Sequence, residues 1–423
     1  MFKLPKIETP DWLLHKFQLP KVKVPKLKIG DSISDIPIIQ GGMGVGISLS
    51  GLASAVAREG GVGVIAANAI GMLEPDYFKN GRSANKRALR KEIRKAREKS
   101  SGIIGVNIMV AVKDFGDLLR VSIEEKVDVI FVGAGLPIKE IPVKELRESN
   151  VKFVPIVSSA RAAKLIFRYW EKNYNDIPDG LVVEGPDAGG HLGFKKEQID
   201  HPDHKLEKIL PEVIAEAKVF EKIFNRKIPV IAAGGIFTGE DIYKFLNLGA
   251  AGVQMGTRFV ATHECDADTR FKKSYLECSQ KDIVIIKSPV GLLGRAIKNN
   301  FIENIDSGKK QFFTCPWRCL DSCDAQNAKY CISIALNNAR KGKFRTGFAF
   351  AGSNAYKINR IISVKELLKD LTKEYLAAAE KGTISLINEL TNALEKLNVL
   401  KDEYAKTVEK NIRIFKDEYT KVL

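Results

Sequence analysis

The sequence predicts an α/β fold: a (β/α)8 TIM barrel that carries an insertion after its eighth strand and a C-terminal helical extension. Two observations lead to this prediction. Eight short apolar runs lack the polar alternation of half-exposed strands, which is typical of parallel strands buried on both faces. Each run precedes a turn and a helical stretch, and eight such units within residues 36–255 favour a closed barrel over an open doubly wound sheet.

Each element follows from the pattern of apolar residues. The strand candidates are residues 36–40, 62–66, 103–109, 127–132, 151–157, 180–184, 228–233 and 251–255. Helix candidates include residues 49–58, 84–99, 143–148, 160–172, 211–224 and 239–248, which have apolar residues at helical spacing. In a barrel of this kind, functional residues lie in the loops that follow the strands.

The regular alternation ends after the eighth strand, which divides the chain into four parts. We expect an N-terminal arm (1–30), the barrel (31–261), a lid or substrate insertion with a cysteine cluster (262–345) and a C-terminal helical region (346–423). The insertion contains IVIIKSPVGLLGRAI, which predicts a two-stranded ribbon around Ser288. The last helical stretch begins at Val364 and is expected to be interrupted at Lys381 and Gly382.

The last helical stretch also carries an apolar stripe with spacings of three and four residues. The stripe predicts packing on the barrel or on a second copy of the chain, as in a homodimer. Its members are Leu386, Leu390, Leu394, Leu397, Leu400 and Tyr404.

Composition indicates an ordinary globular protein and excludes several classes. The chain has 423 residues, of which 45% are hydrophobic and 28% charged, so it is not a disordered protein. It contains no run of about 18 uncharged apolar residues, so we expect no membrane span, and no signal peptide is recognisable. The 6 Cys residues are too few for a disulfide scaffold in a chain of this length. We therefore expect a cytoplasmic protein.

The net charge of +16 comes largely from the N-terminal arm and from residues 79–99. In the second segment Leu89, Ile93 and Ala96 recur at helical spacing, so the bases are expected to form the solvated face of an amphipathic helix. The alternative is an anionic partner, such as an acidic carrier protein or a nucleotide phosphate. Neither a zinc-finger nor an aromatic RNA-binding pattern is present, so we do not expect a nucleic-acid partner.

Glycine-rich turns follow three of the predicted strands. The first is GGMG at 41–44, after the first strand, where the missing Cβ atoms allow a planar or phosphorylated ligand to approach the backbone. The others are Gly234–Gly235 after the seventh strand and Gly256–Thr257 after the eighth. Loops seven and eight of such barrels often bind phosphate through backbone N–H groups, so we predict a phosphate site there.

Two polar residues stand out among these apolar runs and glycines. Asn107 interrupts the apolar third strand (GVNIM), where its amide is either satisfied by the backbone or bonds to the edge of a heterocycle. His191 follows two glycines in the loop after the sixth strand (EGPDAGGHLG). An imidazole pKa of about 6.5 suits proton transfer near neutral pH, so His191 is the candidate catalytic residue.

Five motifs together resemble a known family. PIIQGGMGVGIS, GVNIM, VVEGPDAGGHLG, IPVIAAGGI and GVQMGTRF are similar, in order and spacing, to the flavin-dependent nitronate monooxygenases, formerly called 2-nitropropane dioxygenases. That family includes the flavin-type enoyl-acyl-carrier-protein reductases. The resemblance covers roughly residues 31–300 and implies an FMN-binding barrel with His191 as the catalytic residue. By the same likeness FMN would be held by Gly42, Met43, Asn107, Gly189, Gly190, Gly234, Gly235, Gln254, Gly256 and Thr257.

The resemblance also implies the reaction. The first expectation is oxidation of alkyl nitronates with O₂. The alternative is reduction of an enoyl thioester by NAD(P)H on the same flavin, with an acyl-carrier protein as partner. The small-molecule substrate is therefore a nitronate or an enoyl thioester.

A cysteine cluster in the insertion departs from the better-known members of that family. Cys315, Cys319, Cys323 and Cys331 follow the pattern C-x3-C-x3-C-x7-C. On a helix, the spacing of four would place the first three thiols on one face, where they could hold an iron–sulfur cluster or zinc. Buried reduced thiols and redox disulfides are the alternatives, since Cys is also a common buried residue.

Overall fold

Eight parallel strands close into a barrel, as the sequence predicts. The computed structural model describes residues 22–138, 141–315, 317–320 and 322–422, without the side chains of 394 and 412–422, so most of the predicted N-terminal arm lies outside it. In chain order the strands are β1 (Leu27–Ile29), β2 (Ser32–Ser34), β3 (Ile38–Gln40), β4 (Gly63–Ala66), β5 (Ile104–Met109), β6 (Val129–Gly133), β7 (Lys152–Val157), β8 (Leu181–Glu184), β9 (Gly190–Leu192), β10 (Val230–Ala233), β11 (Gly252–Met255), β12 (Ile283–Lys287) and β13 (Leu293–Ile297).

Helices connect most of the barrel strands and fill the insertion. In chain order they are α1 (Ser50–Arg58), α2 (Tyr77–Lys99), α3 (Phe115–Glu124), α4 (Val143–Ser149), α5 (Ala160–Tyr174), α6 (Lys196–Ile199), α7 (Leu206–Phe224), α8 (Gly239–Asn247), α9 (Thr257–Val260), α10 (Thr269–Glu277), α11 (Asn300–Asp306), α12 (Ile332–Arg340) and α13 (Val364–Val422). All six helix candidates named from the sequence are present, and α3 fills a connection for which none was named.

The sheet order is that of a closed barrel. Neighbouring strands follow the order β3-β11-β10-β8-β7-β6-β5-β4, and every pair in this series is parallel. The two end strands are joined as well, because Gln40 N–H donates to Val62 O at 2.9 Å and Val62 N–H donates to Ile38 O at 3.0 Å. Each predicted strand is confirmed, with boundaries within two residues of those observed.

The core explains why the apolar runs form strands. Ile39, Val64, Phe131 and Ile231, from four different strands, are almost fully buried in one cluster inside the barrel. Leu27 of the β1–β2 hairpin belongs to the same cluster. Burial of apolar side chains on both faces is the main source of strand stability in such a sheet. Gln40, Glu184 and Gln254 lie at or next to the carboxyl ends of their strands, which places the candidate site there.

The insertion is attached to the barrel loops by a second sheet. The predicted ribbon is confirmed as the antiparallel pair β12–β13. Strand β13 also pairs with β9, so that Gly294 lies opposite His191 and Arg295 lies opposite Gly190. The insertion therefore supports the backbone of the candidate catalytic histidine directly.

The C-terminal helix differs from the prediction. Helix α13 is continuous from Val364 to Val422, so the interruption expected at Lys381 and Gly382 is wrong. One glycine costs a helix only about 1 kcal/mol, which the surrounding good helix formers offset. Residues 24–373 form one compact unit, and α13 from Glu374 onward belongs to a second. In the stripe predicted on α13, Leu390, Leu397 and Leu400 are exposed.

Helix α2 shows why the basic run does not by itself indicate a nucleic-acid site. Several of its bases form ion pairs with nearby acids: Arg87 with Asp76 at 2.5 Å, and Arg94 with Glu125 at 2.8 Å. Its apolar residues face inward as predicted, since Leu89 is fully buried. Among the helices that the structure describes, none has a long enough apolar stretch to cross a membrane.

Candidate active site

A cavity of about 300 Å³ lies at the carboxyl ends of the barrel strands. The structure brings all the predicted catalytic and flavin-binding residues together around it. The lining includes Gly42, Met43, Asn107, Gly189, Gly190, His191, Gly234, Gly235, Gln254, Gly256 and Thr257. These residues come from five separate loops or strand ends, and closure of the barrel places them in one ring.

The first glycine turn is closely packed against the third strand. A Cβ atom at Gly42 would lie 2.4 Å from Cβ of Asn107, so no larger residue fits there without displacing the asparagine. The Asn107 side-chain amide donates one long hydrogen bond, of 3.4 Å, to Phe131 O. Its polar edge therefore remains available to a ligand in the cavity.

The turns after β10 and β11 are held by a segment that the sequence analysis did not single out. Asn354 donates its side-chain N–H to Gly235 O at 2.6 Å, and Gly352 N–H donates to Thr257 Oγ1 at 3.0 Å. Gly235 has φ +79°, a conformation that glycine adopts without strain. Both partners lie about a hundred residues further along the chain than the turns, so local sequence patterns gave no signal for them.

His191 lies in β9 with its ring in the cavity wall. Its Nε2 atom is 2.9 Å from Oγ of Ser288, in the turn between β12 and β13. Its ring also contacts Phe350 edge to face, with 5.0 Å between the ring centres. Burial lowers the pKa of His191 to about 4, because the charged imidazolium loses its hydration. The imidazole is therefore neutral at physiological pH.

Ser288 is a functional candidate that the sequence marked only as part of the ribbon. Its hydroxyl accepts a hydrogen bond from Val290 N–H at 3.4 Å and is itself buried. The hydroxyl can then donate its own proton to Nε2 of His191, which favours the tautomer with the ring proton on Nδ1. In this tautomer Nδ1–H can donate to a substrate oxygen, whereas in the other tautomer Nε2–H donates to Ser288 and Nδ1 can accept a proton.

Arg295 fixes the loop that precedes His191. The guanidinium donates to the backbone carbonyl of Ala188 at 2.9 Å and also to that of Pro186. Its side chain is buried, and burial lowers the pKa of the guanidinium. The guanidinium charge is thus balanced by backbone carbonyl groups. Because Arg295 belongs to the insertion, the conformation of the loop before His191 depends on the insertion.

Glu184 is a second functional candidate that the sequence analysis did not assign. It ends strand β8 and lines the cavity, and its carboxyl group makes no hydrogen bond or ion pair with other described residues. Burial raises the pKa of Glu184 to about 7, because the carboxylate form loses its hydration. The available sequence signal was a charged residue at the end of an otherwise apolar strand (GLVVE).

Replacing Glu184 with Gln should stabilise the protein more at high pH than at low pH. Because the folded-state pKa is raised to about 7 from 4.5, wild-type stability falls as pH rises through this range. The Gln variant has no such titration, so its unfolding temperature relative to wild type should be higher at pH 8 than at pH 5. The exposed Glu197→Gln variant is the control. If the unfolding temperatures of the variant and wild type differed by the same amount at both pH values, ionisation of Glu184 would not destabilise the folded protein.

The structure gives no support to the predicted metal or iron–sulfur site. Cys315, Cys319, Cys323 and Cys331 are free thiols, and no group of three or more His, Cys, Asp or Glu residues in the described chain is placed to hold a metal ion. The physical reason is that the described residues between α11 and α12 are not helical, so the spacing of four does not align the thiols. Burial raises the pKa of Cys319 to about 12, which keeps this thiol protonated. The four clustered thiols are free and partly exposed, so they match neither a metal site nor a fully buried group.

Comparison with known proteins identifies relatives of the whole barrel. The family model described as nitronate monooxygenase matches residues 27–121 and 84–374. A dehydrogenase of Mycobacterium tuberculosis, named for a hydroxy-methyl-oxo-octahydroindene-carboxyl-CoA, is 28% identical over 274 residues, or 65% of this chain and 66% of the relative. A probable nitronate monooxygenase of Staphylococcus aureus strain MSSA476 is 28% identical over 307 residues, or 64% of this chain and 78% of the relative.

Solved structures with the same fold extend the similarity beyond the barrel. FabK from Thermotoga maritima has a TM-score of 0.64 and 30% sequence identity, and the match covers 82% of this chain and 94% of FabK. Nitroalkane oxidase from Streptomyces ansochromogenes has a TM-score of 0.63 at 21% identity, with 82% and 98% covered. The second match shows the fold alone. The family model, which extends to residue 374, includes the insertion.

Proposed function

Since this chain belongs to the nitronate monooxygenase family, we propose that it is an FMN-dependent oxidoreductase that reduces an enoyl thioester. The observation that carries this choice is the charge of the cavity. Among the described residues that line it, none is Lys or Arg, whereas Asp114, Glu184 and Asp187 are present. A lining without a cationic side chain offers an anionic substrate no ion pair, which favours a neutral substrate.

The residues present fit FMN. Gly42 leaves no room for a Cβ atom beside Asn107, and a Cβ at Gly190 would meet no atom within 4 Å, so the backbone borders open space. The turns at Gly234–Gly235 and Gly256–Thr257 suit a phosphate without a cationic side chain, because backbone N–H groups bind anions. FMN supplies a ring that takes up a hydride equivalent from a reductant and delivers it to a substrate. NAD(P)H is the proposed reductant.

His191 would act on the thioester carbonyl. Reduction of the double bond adds a hydride to the β-carbon and a proton to the α-carbon, and negative charge develops on the carbonyl oxygen between these events. The neutral imidazole, held by Ser288 at 2.9 Å, can donate a hydrogen bond to that oxygen. The low pKa of about 4 means that His191 polarises the carbonyl as a neutral donor.

Oxidation of alkyl nitronates with O₂ is the second candidate. It is favoured by the family description and by the 28% identity to a probable nitronate monooxygenase. In that reaction His191 would accept the carbon-bound proton of a neutral nitroalkane. The absence of cations from the described cavity lining weighs against direct binding of the nitronate anion.

A carrier protein is the partner that this function implies. Acyl-carrier proteins are acidic, and the net charge of +16 would attract them at low ionic strength. Several bases of α2 are already paired with acids, which reduces the contribution of this helix to the attraction.

Anaerobic stopped-flow spectroscopy tests the proposal directly. NADH or NADPH should bleach the flavin absorbance of the purified protein, and an enoyl thioester added afterwards should restore it. The control is propyl nitronate in place of the nucleotide. Bleaching by propyl nitronate, but by neither nucleotide, would overturn the reductase proposal and establish the second candidate.

A further inference from the structure

Apart from the glycine turns, six apolar side chains line the cavity, and we call the space beside them the apolar chamber. Its walls come from the end of β5 and the loop after it, from the insertion, and from α12. They are Met109, Val112, Trp317, Leu320, Ile332 and Leu336. None of these six residues belongs to the set that would hold FMN, so the chamber is space that the cofactor alone does not explain.

The insertion closes this chamber by specific contacts with the barrel. Val112 and Leu320 form an antiparallel bridge, and Lys113 N–H donates to Cys319 O at 3.1 Å. Backbone pairing of this kind holds the insertion against the loop after β5. The chamber is therefore walled by a fixed part of the molecule.

Helix α2 leaves room for the side chain of Trp317. Its indole N–H donates to the hydroxyl of Tyr77 at 3.3 Å. A Cβ atom at Gly81 of α2 would lie 2.2 Å from Nε1 of Trp317, so only glycine allows the ring to lie there. The ring packs with Val45 and Leu336 in an apolar cluster. Trp317 thus forms one wall of the chamber.

Two buried polar residues near the chamber, Asp114 and Asn85, are paired within the protein. Asp114 accepts a hydrogen bond from the side-chain amide of Asn85 at 2.7 Å, and the Asn85 carbonyl oxygen accepts from Gly71 N–H at 2.7 Å. Burial raises the pKa of Asp114, which opposes a charge there. A chamber with apolar walls and internally paired polar groups suits a hydrocarbon.

We propose that this chamber binds the hydrocarbon chain of the substrate and that Trp317 sets the longest chain it accepts. The inference rests on the proposed function, in which the acyl chain of an enoyl thioester extends from the reacting carbons. Each methylene that leaves water should tighten binding about fourfold until the chain meets the indole. Further methylenes should then add nothing.

Binding of saturated acyl thioesters tests the chamber without any turnover. Calorimetric titration of the flavin-loaded protein with acyl pantetheine thioesters of increasing length should show the fourfold steps and then a plateau. In Trp317→Ala the plateau should move to longer chains. Phe312→Ala is the matched control, because Phe312 lies in the same insertion and is 92% exposed. Its plateau should equal that of wild type.

A second variant covers the case in which Trp317→Ala does not fold. Leu336→Trp adds bulk to the same chamber and should move the plateau to shorter chains. Affinity independent of chain length in wild type would overturn the chamber, and an unchanged plateau in both variants would overturn the role of Trp317. The saturated thioesters do not react, so their binding is measured independently of the reductase activity. If affinity depended on chain length but the protein failed the stopped-flow test, the reductase proposal would be refuted and the chamber would remain established.

Discussion

Replacing His191 with Asn should lower turnover by about 10²–10³-fold, the usual cost of losing a hydrogen-bond donor to a developing oxyanion, while flavin remains bound. Asn keeps a side-chain donor but cannot supply the rigid, neutral imidazole that Ser288 orients at 2.9 Å. In a reductase, the variant should still allow NAD(P)H to bleach the flavin, because hydride uptake does not use the thioester carbonyl. Only the reoxidation by enoyl thioester should collapse.

The pH profile provides an independent check on the role of His191. Since burial lowers its pKa to about 4, the neutral form predominates down to about pH 5, and reoxidation by enoyl thioester should be flat above that value. The rate should fall only as pH approaches 4 and imidazolium forms. In the Glu184→Gln variant, which removes the other group that titrates near pH 7 in this cavity, a rate that rises on acidification through pH 6 would show that imidazolium is the active form.

Two control variants separate catalysis from structure. His263→Asn changes an exposed histidine and should leave turnover at the wild-type value. Ser288→Ala removes the hydrogen bond that orients the ring, so it should cost less than His191→Asn. If His191→Asn turned over enoyl thioester and nitroalkane at wild-type rates, His191 would be structural.

The nitronate reaction predicts a different pattern for the same His191 variant. A nitronate has already lost its proton, so a base is needed only for the neutral nitroalkane. The variant should then lose activity on nitroalkane and keep much of it on nitronate. Comparing the two substrates in one variant therefore distinguishes the two candidate functions even if flavin reduction is ambiguous.

The barrel could be predicted because its signal is local. Strands buried on both faces are continuous apolar runs, so strand residues such as Ile39 and Val64 can be predicted from their immediate neighbours in the sequence. The grouping of the glycine turns with His191 could be predicted from the same alternation of strands and helices, because the carboxyl ends of the strands lie at one end of a barrel.

The rest of the site depends on contacts between distant segments. Ser288 lies 97 residues from His191, and Asn354 lies 119 residues from Gly235. No periodicity links such pairs, and a serine in a ribbon carries no signature of its partner. The cysteine prediction was unsupported for the opposite reason: a regular spacing implied a helix, and the described segment between α11 and α12 is not helical.

Replacing Gly235 with Asp should abolish FMN retention, weakening binding by about 10²-fold or more. If the phosphate lies at this turn, a carboxylate there would repel it, and two like charges about 4 Å apart near a protein surface cost roughly 4 kcal/mol. Each 1.4 kcal/mol is tenfold in affinity, so a repulsion of roughly 4 kcal/mol corresponds to a loss of more than 10²-fold. Flavin content after desalting, and fluorescence titration of the flavin-free protein, measure the loss.

Strain at Gly235 must be separated from charge. The position has φ +79°, and an added Cβ atom would lie 2.9 Å from Cβ of Asp187, so any side chain there perturbs the turn. Gly235→Asn is the matched control, because Asn has the size of Asp, tolerates this left-handed conformation comparatively well and carries no charge. The ratio of FMN affinities between the Asn and Asp variants then isolates the repulsion. Equal affinities would place the phosphate elsewhere in the cavity, whereas a large ratio would fix it at the turn after β10.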